Sequence, residues 1–447
     1  MNLNKKIGLL NNKMKYILLK NKCSSTTTIL FTVKCGSKNE RKGEYGLSHF
    51  IEHMLFKGTK KRLNSKNISN SLYNHGAEFN ASTGYELTRY YTKINNDYIE
   101  VALDVLSDML FNSVFDKEEL EKEKDVVISE NKMSRSSPSG TINALSSTLI
   151  FKNTAYEHNI GGKDIDVENT TQLQMVKYFK HFYKPSNIIV SVCGNYKYSN
   201  TKMISLLNKY FGKKFSNYNK IIKNSKIPKY IMPKHKNFLT MNNKLGFRFK
   251  NLKRNLSQGY ITILFPSYSI NDNRSYIIEI IQNILGGNMS SRLFMKLREE
   301  NGLVYSISAY NQTLSDAGVF EISCSTFGDE KRILKSIELI LIELKRLISE
   351  KITKKELDNN KKYIIGNLLI DMEDSVSLSE LYSDNLLLTG KYIPLNDIIK
   401  KIKKISINDI NNVANILFKK NKCTICVLSR KLISQKKVKL IIDNIMK

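Results

Sequence analysis

The stretch GLSHFIEHMLFKGT, residues 46–59, contains the pattern His-x-x-Glu-His at His49, Glu52 and His53. As a helix, it puts the two imidazoles on one face, one turn apart, with the carboxylate of Glu52 beside them. Two imidazoles at this spacing can hold one Zn²⁺, and the neighbouring carboxylate can take a proton from a water that the metal activates. The order is the inverse of the more common His-Glu-x-x-His zinc helix. The alternative is an amphipathic helix that carries two partly buried histidines.

A catalytic zinc site also needs a third protein ligand and an open position for water. The best candidate lies in FDKEELEKEKDVVISENKM, residues 115–133, which is typical of a helix that begins after a capping Asp116. Glu123 and Glu130 lie two turns apart on one face of that helix. Most of its acidic side chains fit a solvated face with lysine partners. Glu130 follows the apolar run 126–128, which predicts that this end of the helix is buried.

A second pair of residues competes with Glu130 for the third position. His75 and Glu78 lie in a segment rich in Thr and Tyr that predicts strands near the site. Gly76 stands between them and breaks any helical register. The pair is therefore the weaker candidate.

The pattern at His49, Glu52 and His53, with Glu130 further along the chain, resembles the pitrilysin/insulinase family of zinc peptidases, the inverzincins. The resemblance extends to GSKNERKGEYGLSHFIEHMLFKGT (36–59), HGAEFNASTGYELTRYY (75–91) and GGNMSSRLFMKLREENGLVYS (286–306), and so covers most of the chain. Within the family it is similar to the processing-peptidase-like subgroup. That subgroup includes the catalytic subunit of the mitochondrial processing peptidase and its single-chain bacterial relatives.

The resemblance implies a role for each matching residue. It implies one Zn²⁺ per chain held by His49, His53 and Glu130, with Glu52 as the base that activates water and Glu123 as a close support of the site. It also implies substrate-binding residues, which are Asn80, Ala81, Arg298 and Tyr305. From the residues alone, alternatives stay open: a turn for Asn80 and Ala81, a surface cation paired with Glu299 or Glu300 for Arg298, and a core aromatic for Tyr305.

At 447 residues the chain is too long for a single core, which predicts two domains. We expect an N-terminal catalytic zinc-binding domain at 1–212, a Lys-rich linker with two prolines at 213–245, and a homologous substrate-holding domain at 246–447. The predicted fold class is α+β, with two mixed α/β sandwich domains that form a duplicated half-barrel or clamshell around a cleft. Residues 14–36 are interpreted as a hairpin or two neighbouring strands.

The second half repeats the plan of the first. Aligning 55–58 with 284–287 puts Ile278, Ile281 and Gln282 where the first half has His49, Glu52 and His53. The repeat therefore keeps the scaffold without the metal set, and the second half is expected to bind or enclose substrate.

The formal net charge of +30 favours nucleic-acid binding at first sight. The lysines are spread over the whole chain, however, and no recognised nucleic-acid motif accompanies them. Asn, Lys and Ile are all abundant, as expected from an AT-rich genome. We interpret the basicity as a solvated surface and expect no nucleic-acid partner.

No apolar run approaches the length that spans a bilayer, and the first twenty residues lack the apolar core of a secretory signal and the arginines of a mitochondrial one. The six cysteines are scattered through apolar runs, which predicts reduced, buried thiols. Cys423 and Cys426 have zinc or redox spacing but no second pair. These features favour the cytoplasm or another reducing compartment, with the mitochondrial matrix as the alternative.

The predicted function is a zinc-dependent metalloendopeptidase that cleaves peptides or unfolded or leader segments. The expected partners are a peptide substrate and either a second copy of the chain or an inactive homologue. The rival from another class is a non-catalytic scaffold or partner subunit of a processing-peptidase-like complex.

Overall fold

A computed structural model describes residues 4–21, 24–213, 238 and 246–446. The strands in chain order are β1 (Asn4–Leu9), β2 (Lys15–Lys20), β3 (Thr26–Val33), β4 (Glu78–Thr83), β5 (Thr88–Asn95), β6 (Ile188–Gly194), β7 (Arg248–Lys253), β8 (Gln258–Pro266), β9 (Val304–Thr313), β10 (Gly318–Phe327) and β11 (Thr424–Ser429). The helices are α1 (Leu47–Leu55), α2 (Ser65–Tyr73), α3 (Ile99–Asn112), α4 (Lys117–Ser136), α5 (Pro138–Ile150), α6 (Asp164–Glu168), α7 (Gln172–Phe182), α8 (Asn200–Phe211), α9 (Ser275–Gly286), α10 (Glu330–Ser349), α11 (Lys354–Asp371), α12 (Ser375–Leu388), α13 (Leu395–Lys404), α14 (Ile407–Leu417) and α15 (Gln435–Ile445). Short 3₁₀ turns lie at Ser37–Asn39, Asn96–Tyr98, Pro185–Asn187 and Lys420–Lys422, and a π-helical turn at Phe294–Glu299.

The chain divides into two compact units. The first consists of Met1–Lys132, His158–Lys234 and Ile370–Ile393, and the second of Met133–Glu157, His235–Leu369 and Pro394–Lys447. Each unit thus takes one segment from the other half of the chain, whereas the predicted domains are contiguous. The predicted linker at 213–245 lies outside the described residues, apart from Lys213 and Phe238. The assignment of 1–212 as the catalytic domain and 246–447 as the substrate-holding domain stays a prediction.

Each unit is built on one mixed sheet. In the first unit the described strands run β1-β2-β6-β3-β5-β4, and in the second β7-β11-β8-β10-β9. The pair β2 and β6 is parallel, as is the pair β7 and β11, and the other neighbours are antiparallel. Apart from β1 the two sheets have the same order and the same directions. The predicted class, a duplicated mixed α/β fold, is confirmed.

The interpretation of 14–36 as a hairpin or neighbouring strands is wrong, because β6 lies between β2 and β3. Every residue of β6 is buried. Helix α12 packs against β6 and β3, and helix α3 packs against β3 and β5. A strand covered on both faces lies best at the centre of a sheet, so the uniformly buried β6 separates two strands that are close in sequence.

The segments Met133–Glu157 and Ile370–Ile393, each of which joins the unit of the other half of the chain, both contribute a helix that packs on that unit's sheet. Helix α5, from the first half of the sequence, packs against β8 and β11 of the second sheet, as α12 packs against the first. Within the described residues, no helix combines the length and the apolar character that crossing a membrane requires.

Candidate metal centre

Helix α1 carries the predicted metal pattern and is helical as predicted. One face of it belongs to the first unit's core, and the buried residues are Leu47, Ser48, Phe50, Ile51, Met54 and Leu55. His49, Glu52 and His53 lie on the other side and are half-buried. The spacing of apolar residues therefore fixes which way the three polar side chains point.

A buried carboxylate holds the start of this helix. Glu40 accepts the N–H groups of Gly46 and Ser48, both at 2.8 Å, and these groups belong to the first turn, where no helical acceptor is available. The Oε2 atom of Glu40 also lies 3.3 Å from Nε2 of His158. Burial raises the pKa of Glu40, and the bonds from His158 and the backbone oppose that shift. Sequence reasoning assigned no role to Glu40, because Gly46 and Ser48 reach it only through the turn at residues 40–46 and His158 comes from a distant part of the chain.

The two imidazoles and Glu130 converge. Nε2 of His49 lies 3.2 Å from Nε2 of His53, and the Oε2 atom of Glu130 lies 3.5 Å from the latter and 3.9 Å from the former. Of the residues that the structure describes, these three form the one group of three or more His, Cys, Asp or Glu whose ligand atoms all lie within 4.8 Å of one another.

These separations fit one metal ion. In a tetrahedral site with bonds of roughly 2.0–2.1 Å, two ligand atoms lie about 3.4 Å apart. Two imidazole nitrogens and one carboxylate oxygen form a donor set of catalytic zinc sites, which keep a fourth position open. Burial and then the neighbouring charge of His53 lower the pKa of His49 to about 4, so its ring is neutral, as a ligand must be.

His53 is supported from behind. Its Nδ1 bonds to Oε1 of Glu123 at 2.8 Å, and Lys57 contacts Oε2 of the same carboxylate at 2.5 Å. In the neutral ring this bond places the proton on Nδ1 and leaves a lone pair on Nε2. Burial raises the pKa of Glu123, but the bonds from His53 and Lys57 outweigh it and hold that pKa below its usual range. Lys57 lies within the stretch 46–59, but no sequence pattern assigns it a role.

Glu52 lies at the same surface of the helix and accepts a hydrogen bond from the hydroxyl of Thr83, on β4. Burial raises the pKa of Glu52, helped by the charge of Glu130, while the Thr83 bond and His53 act in the opposite direction. A carboxylate with a raised pKa is a stronger base than an exposed one.

The expectation that the Glu130 end of α4 is buried is wrong. The side chain of Glu130 is 43% exposed, whereas that of Glu123 is 5% exposed. Glu123, Val127 and Glu130 share one face of the helix, so the difference is one of position along it: the face is buried at Glu123 and Val127 and half-exposed at Glu130. The apolar run is not a sign of burial either, since Val126 is 43% exposed. Glu130 therefore approaches the imidazoles from the solvent-exposed side of the site.

His75 and Glu78, the alternative candidates for the third metal ligand, have hydrogen-bond partners outside the metal grouping. Nδ1 of His75 lies 3.1 Å from the carbonyl oxygen of Ser71, and Glu78 accepts the hydroxyl of Tyr91 at 2.9 Å. Neither belongs to the metal grouping. The preference for Glu130 is the one that the geometry supports.

Asn80 and Ala81 lie on β4, which is the last strand in its sheet in the described part of the chain, so the alternative of a turn is wrong. They pair with Tyr91 and Tyr90. Helix α1 packs against this strand. Their role in substrate binding stays a prediction.

Arg298 and Tyr305 belong to the second unit and lie beside each other. The guanidinium carbon of Arg298 is 4.9 Å from the ring centre of Phe294 and 5.9 Å from that of Tyr305. Tyr305 is 73% exposed, so the alternative of a core aromatic is wrong. The nearest carboxylate oxygen to Arg298 is that of Glu299, at 4.0 Å, the limit for an ion pair. The substrate-binding role of both stays a prediction.

Comparisons with known proteins agree with the sequence pattern. The family model described as Insulinase (Peptidase family M16) matches residues 16–163, and the one described as Peptidase M16 inactive domain matches residues 170–364. The chain is 31% identical over 410 residues to the uncharacterized zinc protease YmxG of Bacillus subtilis (strain 168), which covers 91% of this chain and 94% of the relative. It is 33% identical over 398 residues to an uncharacterized zinc protease of Rickettsia felis, with 88% and 90% covered.

A solved crystal structure of a protease from Helicobacter pylori has the same fold, with a TM-score of 0.84 at 22% identity over 96% of this chain and 100% of that one. The processing-peptidase-like subgroup stays a prediction. The resemblance to the pitrilysin/insulinase peptidases is confirmed: the chain belongs to the insulinase family, peptidase family M16.

Proposed function

We propose that the chain is a zinc-dependent metalloendopeptidase that cleaves peptides or unfolded or leader segments. The observation that carries the proposal is the convergence of His49, His53 and Glu130, with Glu52 on the same helix. The names of the relatives, zinc proteases, support it.

The local charge favours a divalent cation. Three carboxylates, those of Glu52, Glu123 and Glu130, surround the two imidazoles, and Lys57 balances one of them. Coulombic attraction therefore adds to the ligand bonds. A bound Zn²⁺ would supply a Lewis acid that acidifies water and polarises the scissile carbonyl.

The chain's own residues would handle the proton and the substrate. Glu52 accepts the proton of the attacking water and returns it to the leaving amine. The bond from Thr83 fixes the carboxylate for both transfers. A peptide can add to the edge of β4 that pairs with no other described strand, beside Asn80 and Ala81, which recognises backbone rather than sequence.

The rival function is a scaffold or partner subunit without activity. It does not require a metal grouping, and the grouping here has three converging donors, a supported histidine and an adjacent carboxylate. The peptidase is therefore the better proposal. Pairing with a second copy or with an inactive homologue stays a prediction, which sedimentation of the purified chain tests.

All five described cysteines are buried and unpaired, as predicted, and Cys23 lies outside the described residues. This supports the proposed reducing compartment.

The direct experiment is the removal and return of metal. The purified chain is expected to carry about one zinc per chain. It should cleave members of a mixed peptide library, lose that activity to a chelator and regain it with stoichiometric zinc. Mass spectrometry of the products and of the metal content measures both. Cleavage that survives complete zinc removal would contradict the proposal.

Replacement of Glu123 by glutamine is expected to weaken zinc binding by roughly 10–100-fold, the usual cost of losing a residue that supports a ligand. The amide keeps the shape but removes the charge that His53 and Lys57 share. Competition with a chelating dye measures the affinity. Glu119→Gln is the matched control, since that carboxylate is on the same helix and pairs with Lys122 at the surface. Equal affinity in the two variants would remove Glu123 from the site.

A further inference from the structure

The third candidate ligand, Glu130, depends on the placement of its helix. Among the described residues its carboxylate contacts His49 and His53 and makes no further hydrogen bond or ion pair. Val127 is the last buried residue of α4, so no buried side chain fixes the helix beyond that point. Whether Glu130 reaches the imidazoles is therefore decided by what holds this end of α4 against α1.

The residue after Glu130 ties α4 to the segment 158–163. The side-chain amide of Asn131 donates a hydrogen bond to the carbonyl oxygen of Gly161 at 2.8 Å. The contact requires a glycine, because a Cβ at position 161 would lie 2.0 Å from Oδ1 of Asn131. Successive residues of a helix point about 100° apart, so a fixed direction for Asn131 also fixes that of Glu130.

The same segment lies directly against the start of α1. Gly46 is the residue before this helix, and a Cβ on it would lie 2.6 Å from the carbonyl oxygen of Gly161. A Cβ on Gly162 would lie 2.0 Å from the carbonyl oxygen of Tyr45. Gly46 and Gly162 have φ angles of +97° and +73°, which glycine adopts without strain. The backbones approach this closely only because these positions have no side chain.

His158 anchors the segment on the side of α1. Its Nε2 lies 2.8 Å from the carbonyl oxygen of Ser37 and 3.3 Å from Oε2 of Glu40, the carboxylate that accepts the first amides of α1. Its ring stacks on that of Tyr45, with the ring centres 4.1 Å apart. The segment is thus held to the start of α1 at one end, and its Gly161 carbonyl holds Asn131 of α4.

We propose that Asn131 and Gly161 are positioning residues of the metal centre, which set the separation and the rotation of α4 relative to α1. The inference rests on the zinc site of the proposed function. The separation matters because Oε2 of Glu130 lies 3.9 Å from Nε2 of His49, the longest of the three distances in the grouping. Movement of α4 away from α1 by about 1 Å is enough to loosen such a site.

The test measures the zinc affinity of the full chain by competition with a chelating dye. Asn131→Ala is expected to weaken zinc binding about tenfold, the lower end of what the loss of a supporting residue costs. Asn169→Ala is the matched control and should bind zinc as the parent does. The amide of Asn169 also donates to a backbone carbonyl at 2.8 Å, that of Ile165, but at the end of α6, which carries no candidate ligand. The urea midpoint of each zinc-free variant separates an effect on zinc binding from one on stability.

Gly161→Ala tests the same contact from the other side. Its methyl group would collide with the Asn131 amide, and the backbone at this position needs no left-handed angle, so the expected result is again a loss of about tenfold. In the double variant Asn131→Ala/Gly161→Ala the collision is gone. Its zinc affinity should therefore equal that of Asn131→Ala alone. Losses that multiply in the double variant would overturn the proposal.

A further pair of variants asks whether Asn131 acts through Glu130. In the Glu130→Gln background, measured with a weaker dye, Asn131→Ala should cost less than about twofold, because the ligand that it positions is already lost. A loss of about tenfold in that background contradicts the proposal, as does parental affinity of Asn131→Ala alone. A parent chain that binds zinc but cleaves nothing ends the peptidase proposal, and the affinities still decide this one. A parent chain that binds no zinc ends both.

Discussion

Replacement of Glu52 by glutamine is expected to lower kcat for peptide cleavage by roughly 10²–10⁴-fold, the usual contribution of a positioned acid–base group. The amide keeps the size of the side chain and can still accept the hydrogen bond from Thr83. It cannot take a proton from water. The zinc content should stay unchanged, since Glu52 is outside the group whose ligand atoms converge. Steady-state kinetics and metal analysis on the same preparation measure the two effects.

The control for this variant is Glu78→Gln, on the neighbouring strand. Glu78 is exposed and bonds to Tyr91, so its loss should leave kcat within about twofold, as for most surface substitutions. Parental turnover in the Glu52 variant would assign the base to another residue. A loss of zinc together with activity would make Glu52 a ligand instead.

The metal helix could be predicted because its geometry is local. Four residues of helix determine that His49 and His53 share a face, whatever the rest of the chain does. The buried stripe of α1 was predictable for the same reason. Glu130 was harder to find, since this candidate for the third ligand lies on another helix, where the apolar run and the motif resemblance both pointed to it. The argument from the apolar run was wrong about how far burial extends along the helix, since Glu130 is half-exposed and Val126 is exposed.

The residues that sequence reasoning missed act through contacts between distant segments. Thr83 meets Glu52 only because β4 pairs with β5 and packs against α1. Glu40 and His158 are likewise far apart in sequence and meet beside the first turn of α1. No periodic pattern marks such pairs, because each depends on where the strands are placed.

The architecture likewise has features that could be predicted from the sequence and features that could not. The duplication of the sheet was readable from the repeat, since both halves use the same succession of strands and helices. The place of β6 and the exchange of α5 and α12 were not readable. Those features depend on which apolar faces cover one another, and an apolar helix or strand does not specify its partner by composition.

The duplication also gives a physical reason for the loss of metal residues in the second unit. Asp116 and Thr353 cap helices α4 and α11 in the same way, and setting these caps in register makes Asn360 the counterpart of Glu123. Asn360 accepts a hydrogen bond from the amide of Asn283, whereas Glu123 bonds to an imidazole. A neutral pair keeps two helices together without the cost of burying charge. A metal site would need that charge, so the second unit keeps the contact between the two helices without the metal residues.

Replacement of Glu130 by glutamine is expected to abolish both zinc retention and cleavage, in contrast to the Glu52 variant. The neutral amide is a poor ligand, so the substitution leaves two imidazoles. Catalytic zinc sites have three protein ligands. The zinc affinity should therefore fall by more than the roughly 10–100-fold that the loss of a supporting residue costs. Because Glu130 is 43% exposed, the fold should be almost unaffected, with a change in unfolding free energy within about 0.5 kcal/mol for the zinc-free chain. Glu121→Gln, an exposed carboxylate on the same helix, serves as the control for the loss of one charge. If the Glu130 variant keeps stoichiometric zinc through dialysis against a chelating dye, the third ligand is elsewhere and the grouping of His49, His53 and Glu130 is not the metal centre.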